Sequence, residues 1–258
     1  MAPAGELGTR DPAETARQAG RMAEVLADCG VNLNLAPVVD LDLNPGNPVI
    51  GRYQRSFGPD PGLVIRHARA FIRAHHEHGI ACCLKHFPGH GSAGADSHLG
   101  FVDSTGCWQA AELEPFRALV REGLADAVMT AHVVQRHLDP DGVPATLSGR
   151  IIGDLLRRRL GFAGVVISDD LQMRAITDRW GFAEAVAMAV QAGVDLVIVG
   201  NNLVRQRGAV EEGVRAVEGL VASGRVREER VQDSIGRIRA LKQKIAGERP
   251  WKNDSPTA

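Results

Sequence analysis

The stretch "ACCLKHFPGHGSAGADSHLG", from Ala81 to Gly100, shows the pattern that decides the fold. A short apolar run ends in Lys85 and His86, and a loop rich in glycine follows it. Short apolar runs that are bounded by turn residues predict buried β-strands. The segment therefore predicts a buried strand with polar side chains at its carboxyl end.

The same pattern recurs along the chain. Further strands are predicted from the apolar runs in "VNLNLAPVVDLDL", "DAVMTAHVV", "GVVISDDLQM" and "VDLVIVGNN". Segments with helical spacing separate these runs, such as 11–29, which starts with Asp11 and Pro12, and 61–78. Buried strands that alternate with helices predict a parallel sheet that is covered on both faces.

Polar residues collect where the predicted strands end. They are Asp40, Lys85–His86, His132, Asp169–Asp170 and Asn201–Asn202. This arrangement is typical of a (β/α)8 barrel, whose active site is built at the carboxyl ends of its strands. We therefore predict an α/β fold of the (β/α)8 TIM-barrel type, with about five of the eight strand–helix units in this chain. A doubly wound open sheet is the alternative, but no predicted strand is followed by a G-x-G-x-x-G or P-loop motif.

The domain organisation predicted from the sequence is simple. No internal repeat or low-complexity segment indicates a second domain. We expect one domain over residues 1–258, with a polar tail over residues 246–258. Since a closed barrel needs eight strands, either three strands are missing from the N-terminal side or the barrel is open and incomplete.

The composition argues against several classes of partner. The formal net charge of −1 gives no basic excess for binding nucleic acid or an anionic membrane. No run of about 18 apolar residues occurs, and the start "MAPAGELGTRDPAE" has no signal-peptide core. The four cysteines lack C-x-x-C spacing, which favours buried free thiols over disulfides. We therefore expect no nucleic-acid partner, no membrane contact and a cytoplasmic location.

The histidines in and near the loop raise the question of a metal site. His86 and His90 have the spacing of a helical zinc pair, and His98 could be a third ligand. Pro88 and Gly89 break any helix between them, so the i, i+4 geometry is lost. We therefore expect no metal and no cofactor, and a metal-dependent barrel hydrolase that uses these three histidines is the alternative. The three histidines in "IRAHHEHG" are expected on the solvated face of a helix.

The candidate catalytic residues are Asp96, His98 and Asp169. A carboxylate two residues from a histidine can accept its ring N–H, and such a pair can donate and recover a proton near neutral pH. Asp169 ends a buried strand, whereas its neighbour Asp170 can cap the segment that follows. A carboxylate with a proton donor opposite is the arrangement of retaining glycosidases, whose two reacting groups lie roughly 5–5.5 Å apart. The departure is that the donor here is a histidine and not a second carboxylate.

Four more residues are candidates for substrate binding. Lys85 and His86 offer donors for hydroxyl or amide oxygens, and Arg55 in "IGRYQRSFGPD" adds a charged fork. His132 occupies the equivalent position at the end of the next predicted strand. A structural ion pair is the alternative for each of the first three.

Several segments together resemble the family 3 glycoside hydrolases. They span nearly the whole chain in the expected order, and they are "LAPVVDL", "IGRYQRSFGPDP", "KHFPGHGSAGADSH", "DAVMTAHVV" and "GFAGVVISDDLQM". The "KHFPGHG…DSH" block is typical of the bacterial β-N-acetylglucosaminidase (β-hexosaminidase) branch of that family, which acts in peptidoglycan recycling. The resemblance implies hydrolysis of terminal non-reducing N-acetyl-β-D-glucosamine residues by a retaining double displacement.

The resemblance also implies a role for each candidate residue. Asp169 matches the nucleophile, and His98 matches the general acid/base, with Asp96 as its partner. The loop that carries His98 has glycines at positions 89, 91 and 94, which suit a loop that moves. The positions that match residues gripping the sugar hydroxyls are Arg55, Lys85 and His86.

The resemblance further implies that three N-terminal strands of the family barrel precede the part seen here. An incomplete barrel has an unpaired sheet edge, through which the chain could self-associate.

Two alternatives stay open within this interpretation. A histidine acid/base repels phosphate less than a carboxylate does, so phosphate could replace water as the acceptor. The chain could also be a catalytically incompetent fragment that binds a saccharide.

Overall fold

The computed structural model describes residues 1–201 and 205–246. The polar tail predicted beyond residue 246 and the predicted strand-end residue Asn202 lie outside the described part of the chain.

The described elements alternate between strands and helices in much the predicted order. The helices are α1 (Ala4–Leu7), α2 (Pro12–Asp28), α3 (Pro61–His76), α4 (Glu114–Arg121), α5 (Arg174–Thr177), α6 (Phe182–Ala192), α7 (Ala209–Ala222) and α8 (Glu228–Ala246). The strands are β1 (Leu33–Asn34), β2 (Ala81–Phe87), β3 (Val102–Asp103), β4 (Ala127–Thr130), β5 (Val133–Val134), β6 (Val165–Asp170) and β7 (Leu196–Ile198).

Five of these strands form one sheet in the order β1-β2-β4-β6-β7, and every neighbouring pair is parallel. The strand order follows the order along the chain, without the reversal that marks a doubly wound sheet. This topology confirms the predicted α/β fold of the TIM-barrel type, with five strand units present among the described residues. The short strands β3 and β5, which follow β2 and β4 along the chain, pair in parallel as a separate two-stranded sheet.

Two elements differ from the sequence prediction. The long first strand is reduced to β1 and a single bridge between Val38 and Lys85, because Pro37 lies between them and has no N–H to donate to a ladder. The segment "SGRIIGDLLRRRLG", residues 148–161, reads as an α-helix in the sequence; a helix is present over Arg150–Arg159, but its hydrogen bonds follow the wider π pattern.

Helices α2 and α3 show how the local sequence sets the outer layer. Each begins with an aspartate that accepts a backbone N–H, Asp11 for α2 and Asp60 for α3, followed by proline in the first turn. These helices pack against one face of the sheet, where Cys82, Leu84 and Val128 belong to the main hydrophobic core. We call this the outer face of the sheet.

Helix α8 covers the opposite, inner face. Alternate residues of β2, β4 and β6 form a second apolar cluster there, and Leu241 of α8 is buried among them. The other members of this cluster are Ala81, Cys83, Ala127, Met129, Val165 and Ile167. In a closed barrel, side chains from the strands fill this interior. Here a helix contributes to the filling.

Two buried aspartates fasten α8 to the amino ends of the strands. Asp126, just before β4, accepts hydrogen bonds from the Cys82 amide at 2.8 Å and from Lys244 at 2.5 Å. Asp195, just before β7, accepts from the Val166 amide at 2.9 Å and pairs with Arg237 of α8 at 3.1 Å. The orientation of α8 therefore depends on charge pairs as well as on apolar contacts.

The solvated face predicted for the histidines of α3 is wrong for two of them. His75 is fully buried, stacks on Phe71 with ring centroids 4.1 Å apart, and is hydrogen-bonded to Asn34 at 3.0 Å. His76 is hydrogen-bonded to Asp126 at 2.6 Å. The reason is that the last turn of α3 packs against the sheet. There the imidazole nitrogens find hydrogen-bond partners, and the His75 ring also stacks on Phe71.

The cysteines also depart in part from the prediction. All four are free, but only Cys82 and Cys83 are buried, whereas Cys29 and Cys107 are exposed. No helix among the described residues combines the length and the apolar character that a membrane crossing requires.

Candidate active site

A pocket of about 330 Å³ lies at the carboxyl ends of β2 and β6. It brings together most of the predicted site residues. Those that line it are Arg55, Lys85, His86, His98 and Asp169, together with His90, Ser97, Asp170 and apolar neighbours such as Met129 and Met173. The site thus forms where the strands of a barrel-type sheet are expected to carry one.

Asp169 is the carboxylate at the centre of this group. It ends β6, and its Oδ1 accepts the Asp170 amide at 2.8 Å. Burial opposes ionisation of Asp169, but the nearby His132 and His86 rings, the Asp170 amide and the Lys85 ammonium together lower its pKa below the ordinary value. The side chain is therefore an anion at neutral pH, as a nucleophile needs to be.

Lys85 and His86 lie near the carboxyl end of β2 and line the same pocket, although β4 separates β2 from β6 in the sheet. Burial and the positive charge of Arg55 lower the pKa of Lys85. The ring Nδ1 of His86 donates to Asp40 Oδ2 at 2.7 Å, which leaves Nε2 as the ring nitrogen not bound to Asp40. Arg55 lines the same pocket and donates one hydrogen bond to the Val49 carbonyl at 3.1 Å.

Asp40 is a site residue that the sequence analysis did not assign a role. Its fully buried carboxylate accepts the His86 amide and ring N–H and the His90 amide at 2.9 Å. Burial opposes its charge, but His86 and these donors lower the pKa of Asp40. Its position at the end of a predicted strand was the available signal, but the contacts span more than 40 residues of sequence, so no local pattern could reveal them.

The loop after β2 has a buried base, residues 88–93, and a more exposed tip, residues 94–101. Glu112 holds the base: its carboxylate accepts the Gly91 amide at 3.1 Å, the Ser92 hydroxyl at 2.6 Å and the Gln109 amide at 3.2 Å. Burial raises the pKa of Glu112 to about 6. Asn47 adds a hydrogen bond to the His90 carbonyl at 2.7 Å.

Two of the three glycines that the resemblance assigned to loop movement have a different role. A Cβ at Gly91 would lie 1.6 Å from the Leu41 carbonyl oxygen, and one at Gly89 would lie 2.6 Å from Glu112. These glycines allow close packing of a fixed backbone. Only Gly94, where a Cβ would meet nothing within 4 Å, lies in the tip.

The tip carries the predicted acid/base pair. His98 Nδ1 donates to Asp96 Oδ1 at 2.7 Å, and the same oxygen accepts the His98 amide at 2.8 Å. The His98 side chain is 45% exposed, so its other nitrogen can reach both the pocket and solvent. The predicted pairing of Asp96 with His98 is therefore present in the structure.

His132 does not line the pocket. Its ring is 1% exposed, and both nitrogens are used inside the protein, by Thr146 Oγ1 at 2.8 Å and the Asp170 carbonyl at 2.9 Å. Burial lowers the pKa of His132. The substrate contact predicted for His132 is therefore not supported, because both of its ring nitrogens are bound to groups of the protein itself.

The three histidines of the alternative metal site are not arranged as a ligand set. His86 Nδ1 is bound to Asp40, His90 Nε2 lies 3.4 Å from Ser97 Oγ, and His98 Nδ1 is bound to Asp96. Among residues 1–201 and 205–246, no group of three histidine, cysteine or acidic side chains is placed to hold a metal ion.

The fold and pocket define a TIM-barrel-type chain with its candidate site at the carboxyl ends of parallel strands. Residues 2–241 match the family model described as the glycosyl hydrolase family 3 N-terminal domain. The chain therefore belongs to glycoside hydrolase family 3.

Curated relatives agree with this assignment. The chain is 43% identical over 183 residues to a β-hexosaminidase of Tolumonas auensis, covering 70% of this chain and 53% of that protein. It is 42% identical over 210 residues to a β-hexosaminidase of Neisseria meningitidis serogroup C, covering 78% of this chain and 56% of that protein. The chain thus spans about half the length of the curated relatives it matches.

Solved structures show the same fold. A family 3 β-N-acetylglucosaminidase from Paenibacillus sp. str. FPU-7 superposes with a TM-score of 0.85 at 38% identity, over 96% of this chain and 47% of that one. A β-N-acetylhexosaminidase from Beutenbergia cavernae superposes with a TM-score of 0.86 at 34% identity, over 94% of this chain and 72% of that one.

Proposed function

We propose that this chain carries the catalytic groups of a retaining β-N-acetylhexosaminidase, which hydrolyses terminal non-reducing N-acetyl-β-D-glucosamine residues. One observation carries the proposal: the ionised carboxylate of Asp169 lines the same pocket as His98, whose Nδ1 is bound to Asp96. The names of the relatives support the substrate class. A metal-dependent reaction has no such support from the donor geometry described above.

The reaction follows from the two groups. The Asp169 carboxylate attacks the anomeric carbon while protonated His98 gives its proton to the leaving oxygen, so one C–O bond forms as the other breaks. The neutral His98 then takes a proton from water, which attacks the same carbon and releases Asp169. Asp96 binds Nδ1–H throughout, so Nε2 is the nitrogen that moves the proton.

Substrate binding is assigned to the cationic side of the pocket. Arg55, Lys85 and His86 provide N–H donors that suit sugar hydroxyl and amide oxygens. Asp40 orients His86, and His132 supports Asp170 from behind the pocket.

The test is hydrolysis of a chromogenic N-acetyl-β-glucosaminide by the purified chain and its variants. Asp169→Asn keeps the shape of the side chain but removes the nucleophile, and we expect kcat to fall at least about a thousandfold. His98→Ala should lower kcat by about 10²–10⁴-fold, the usual contribution of a positioned acid/base. Asp178→Asn, an exposed change just after the short helix α5, is the matched control. A His98→Ala protein with full activity would contradict the assignment, and NMR of the first-formed anomer tests retention.

The same assay decides between water and phosphate as the acceptor. Hydrolysis predicts a rate and a product that do not depend on added phosphate, whereas phosphorolysis would yield a sugar 1-phosphate.

Three finer proposals accompany this function. Turnover of peptidoglycan fragments is proposed because such fragments contain the predicted sugar, and release of N-acetylglucosamine from them is the test. A cytoplasmic location is proposed from the four free cysteines, which suit a reducing compartment, and cell fractionation tests it. Self-association through a sheet edge is proposed from the outer strands β1 and β7, and light scattering over a range of concentrations tests it.

A further inference from the structure

The loop tip, residues 94–101, is held at two points by the segment around α5. The Ala175 amide donates to the Ser97 carbonyl at 3.1 Å. The guanidinium of Arg179, just after α5, lies over the ring of Phe101 at 3.5 Å from the ring centroid. Along the chain, Asp96 lies between the loop base and the first attachment point, Ser97, and His98 lies between the two attachment points.

The tip has few other attachments. Gly94 has no neighbours around the position of a Cβ, and Ala95 is exposed. Leu99, which follows His98, is 71% exposed and belongs to none of the apolar clusters. Ser97 is 2% exposed, and its hydroxyl is 3.4 Å from His90 Nε2, which is a weak contact. The tip therefore depends on α5 for its position.

Helix α5 is itself firmly anchored beside the nucleophile. Ala175 and Ile176 are fully buried, and Met173, which lines the pocket, bonds back to the Asp170 carbonyl at 3.0 Å. Only the three residues between β6 and α5 separate this helix from Asp170. A contact from α5 to the tip therefore ties the loop of His98 to the strand of Asp169.

We propose that Arg179 is a positioning residue that acts through Phe101 to hold the tip, and with it His98, over Asp169. Arg179 lies outside the pocket lining and is exposed, so it touches no substrate in this arrangement. Its catalytic consequence rests on the role proposed above for His98, but the clamp itself does not. Arg179 is exposed, and Phe101 is half-buried but belongs to none of the apolar clusters, so their substitution leaves the core intact.

The experiment measures amide hydrogen exchange in the full chain without substrate. Arg179→Met and Phe101→Leu should each speed exchange of the tip and of the Ala175 amide about two- to fivefold, the size expected for an exposed cation–π contact. Exchange of the loop base, residues 88–93, should not change. The double variant should be no faster than the single variants, since both remove one contact.

Arg174→Met is the matched control. Arg174 is an exposed arginine on α5, and its one ion pair within the described residues is with Asp178, at 3.3 Å. Amide hydrogen exchange in the tip should be the same in Arg174→Met as in the unmodified chain. Unchanged tip exchange in both Arg179→Met and Phe101→Leu would overturn the clamp, as would an equal effect of Arg174→Met.

Steady-state kinetics test separately whether the clamp affects catalysis through His98. With a clamp that orients His98, Arg179→Met should lower kcat about two- to fivefold with little change in KM, and the double variant should match it. Faster tip exchange with unchanged kcat would overturn the positioning role. If the unmodified chain does not turn over the glycoside, the proposed function fails, and the exchange experiment still decides whether the clamp exists.

Discussion

At the scale of single residues, Glu112 shows how the site loop couples to pH. Its folded-state pKa is raised from 4.5 to about 6 by burial, with partial compensation from its hydrogen bonds. Between those values the folded chain binds more protons at this group than the unfolded chain does. The unfolding free energy therefore falls as pH rises through this window. Above pH 6, where Glu112 is ionised in the folded chain, the total loss of unfolding free energy is about 2 kcal/mol.

This predicts a specific behaviour of Glu112→Gln, which cannot ionise. As pH falls from 7 to 4.5, the unmodified chain should gain about 2 kcal/mol of stability relative to this variant. Urea unfolding at several pH values measures the difference. Glu114→Gln, on the same segment but with an exposed side chain, reports the effect of substituting a surface glutamate. Parallel stability curves for the unmodified chain and Glu112→Gln would show that the carboxyl is not destabilised by burial.

Sequence reasoning found the site residues that end strands or lie close together along the chain. Asp96 and His98 are two residues apart, and Asp169 follows an apolar run, so a local pattern was enough. It did not find Glu112, whose bonds to the loop base cross 20 and 21 residues. A carboxylate in an amphipathic helix segment is ordinary in sequence, and only the tertiary structure buries it.

At the scale of elements, α8 is the main feature that the sequence left open. Its apolar residues Ile238, Leu241 and Ile245 are spaced three and four apart, which predicts a helix with one apolar stripe. Such a stripe does not specify which surface it covers. Helix α8 covers the inner face of the sheet because its apolar residues fit the cluster there and because its charged residues pair with Asp126 and Asp195. These contacts are long-range in sequence.

The packing of α8 makes a prediction about stability. Leu241→Ala should lower the unfolding free energy by about 2–5 kcal/mol, since it removes a buried side chain from the inner cluster and leaves a cavity. Gln243→Ala, an exposed change on the same helix, should stay within about 0.5 kcal/mol of the unmodified chain. Denaturant unfolding measures both. Equal, small effects would mean that α8 does not pack on the sheet in solution.

At the scale of the whole molecule, the pocket joins parts of the chain that are far apart in sequence. Its walls come from Arg55, from the end of β2, from the loop tip, from the end of β6 and from Ile198 of β7. These same strands carry the outer core and the inner cluster under α8. A ligand that bridges the walls must therefore be released before the chain can unfold cooperatively, and its binding free energy adds to the stability of the entire fold.

The prediction is that N-acetylglucosamine raises the thermal unfolding midpoint of the chain. At about a hundredfold excess over its dissociation constant, a ligand of the folded state adds about 2.7 kcal/mol, roughly 5–10 °C for a chain of this size. Lys85→Met, which removes a donor from the pocket, should reduce the shift at the same concentration, whereas the exposed change Lys242→Met should not. Glucose, which lacks the acetamido group, is the control sugar. An equal shift with glucose would show that the pocket does not select for the acetamido group, and no shift with either sugar would show that the described chain does not form a working sugar site.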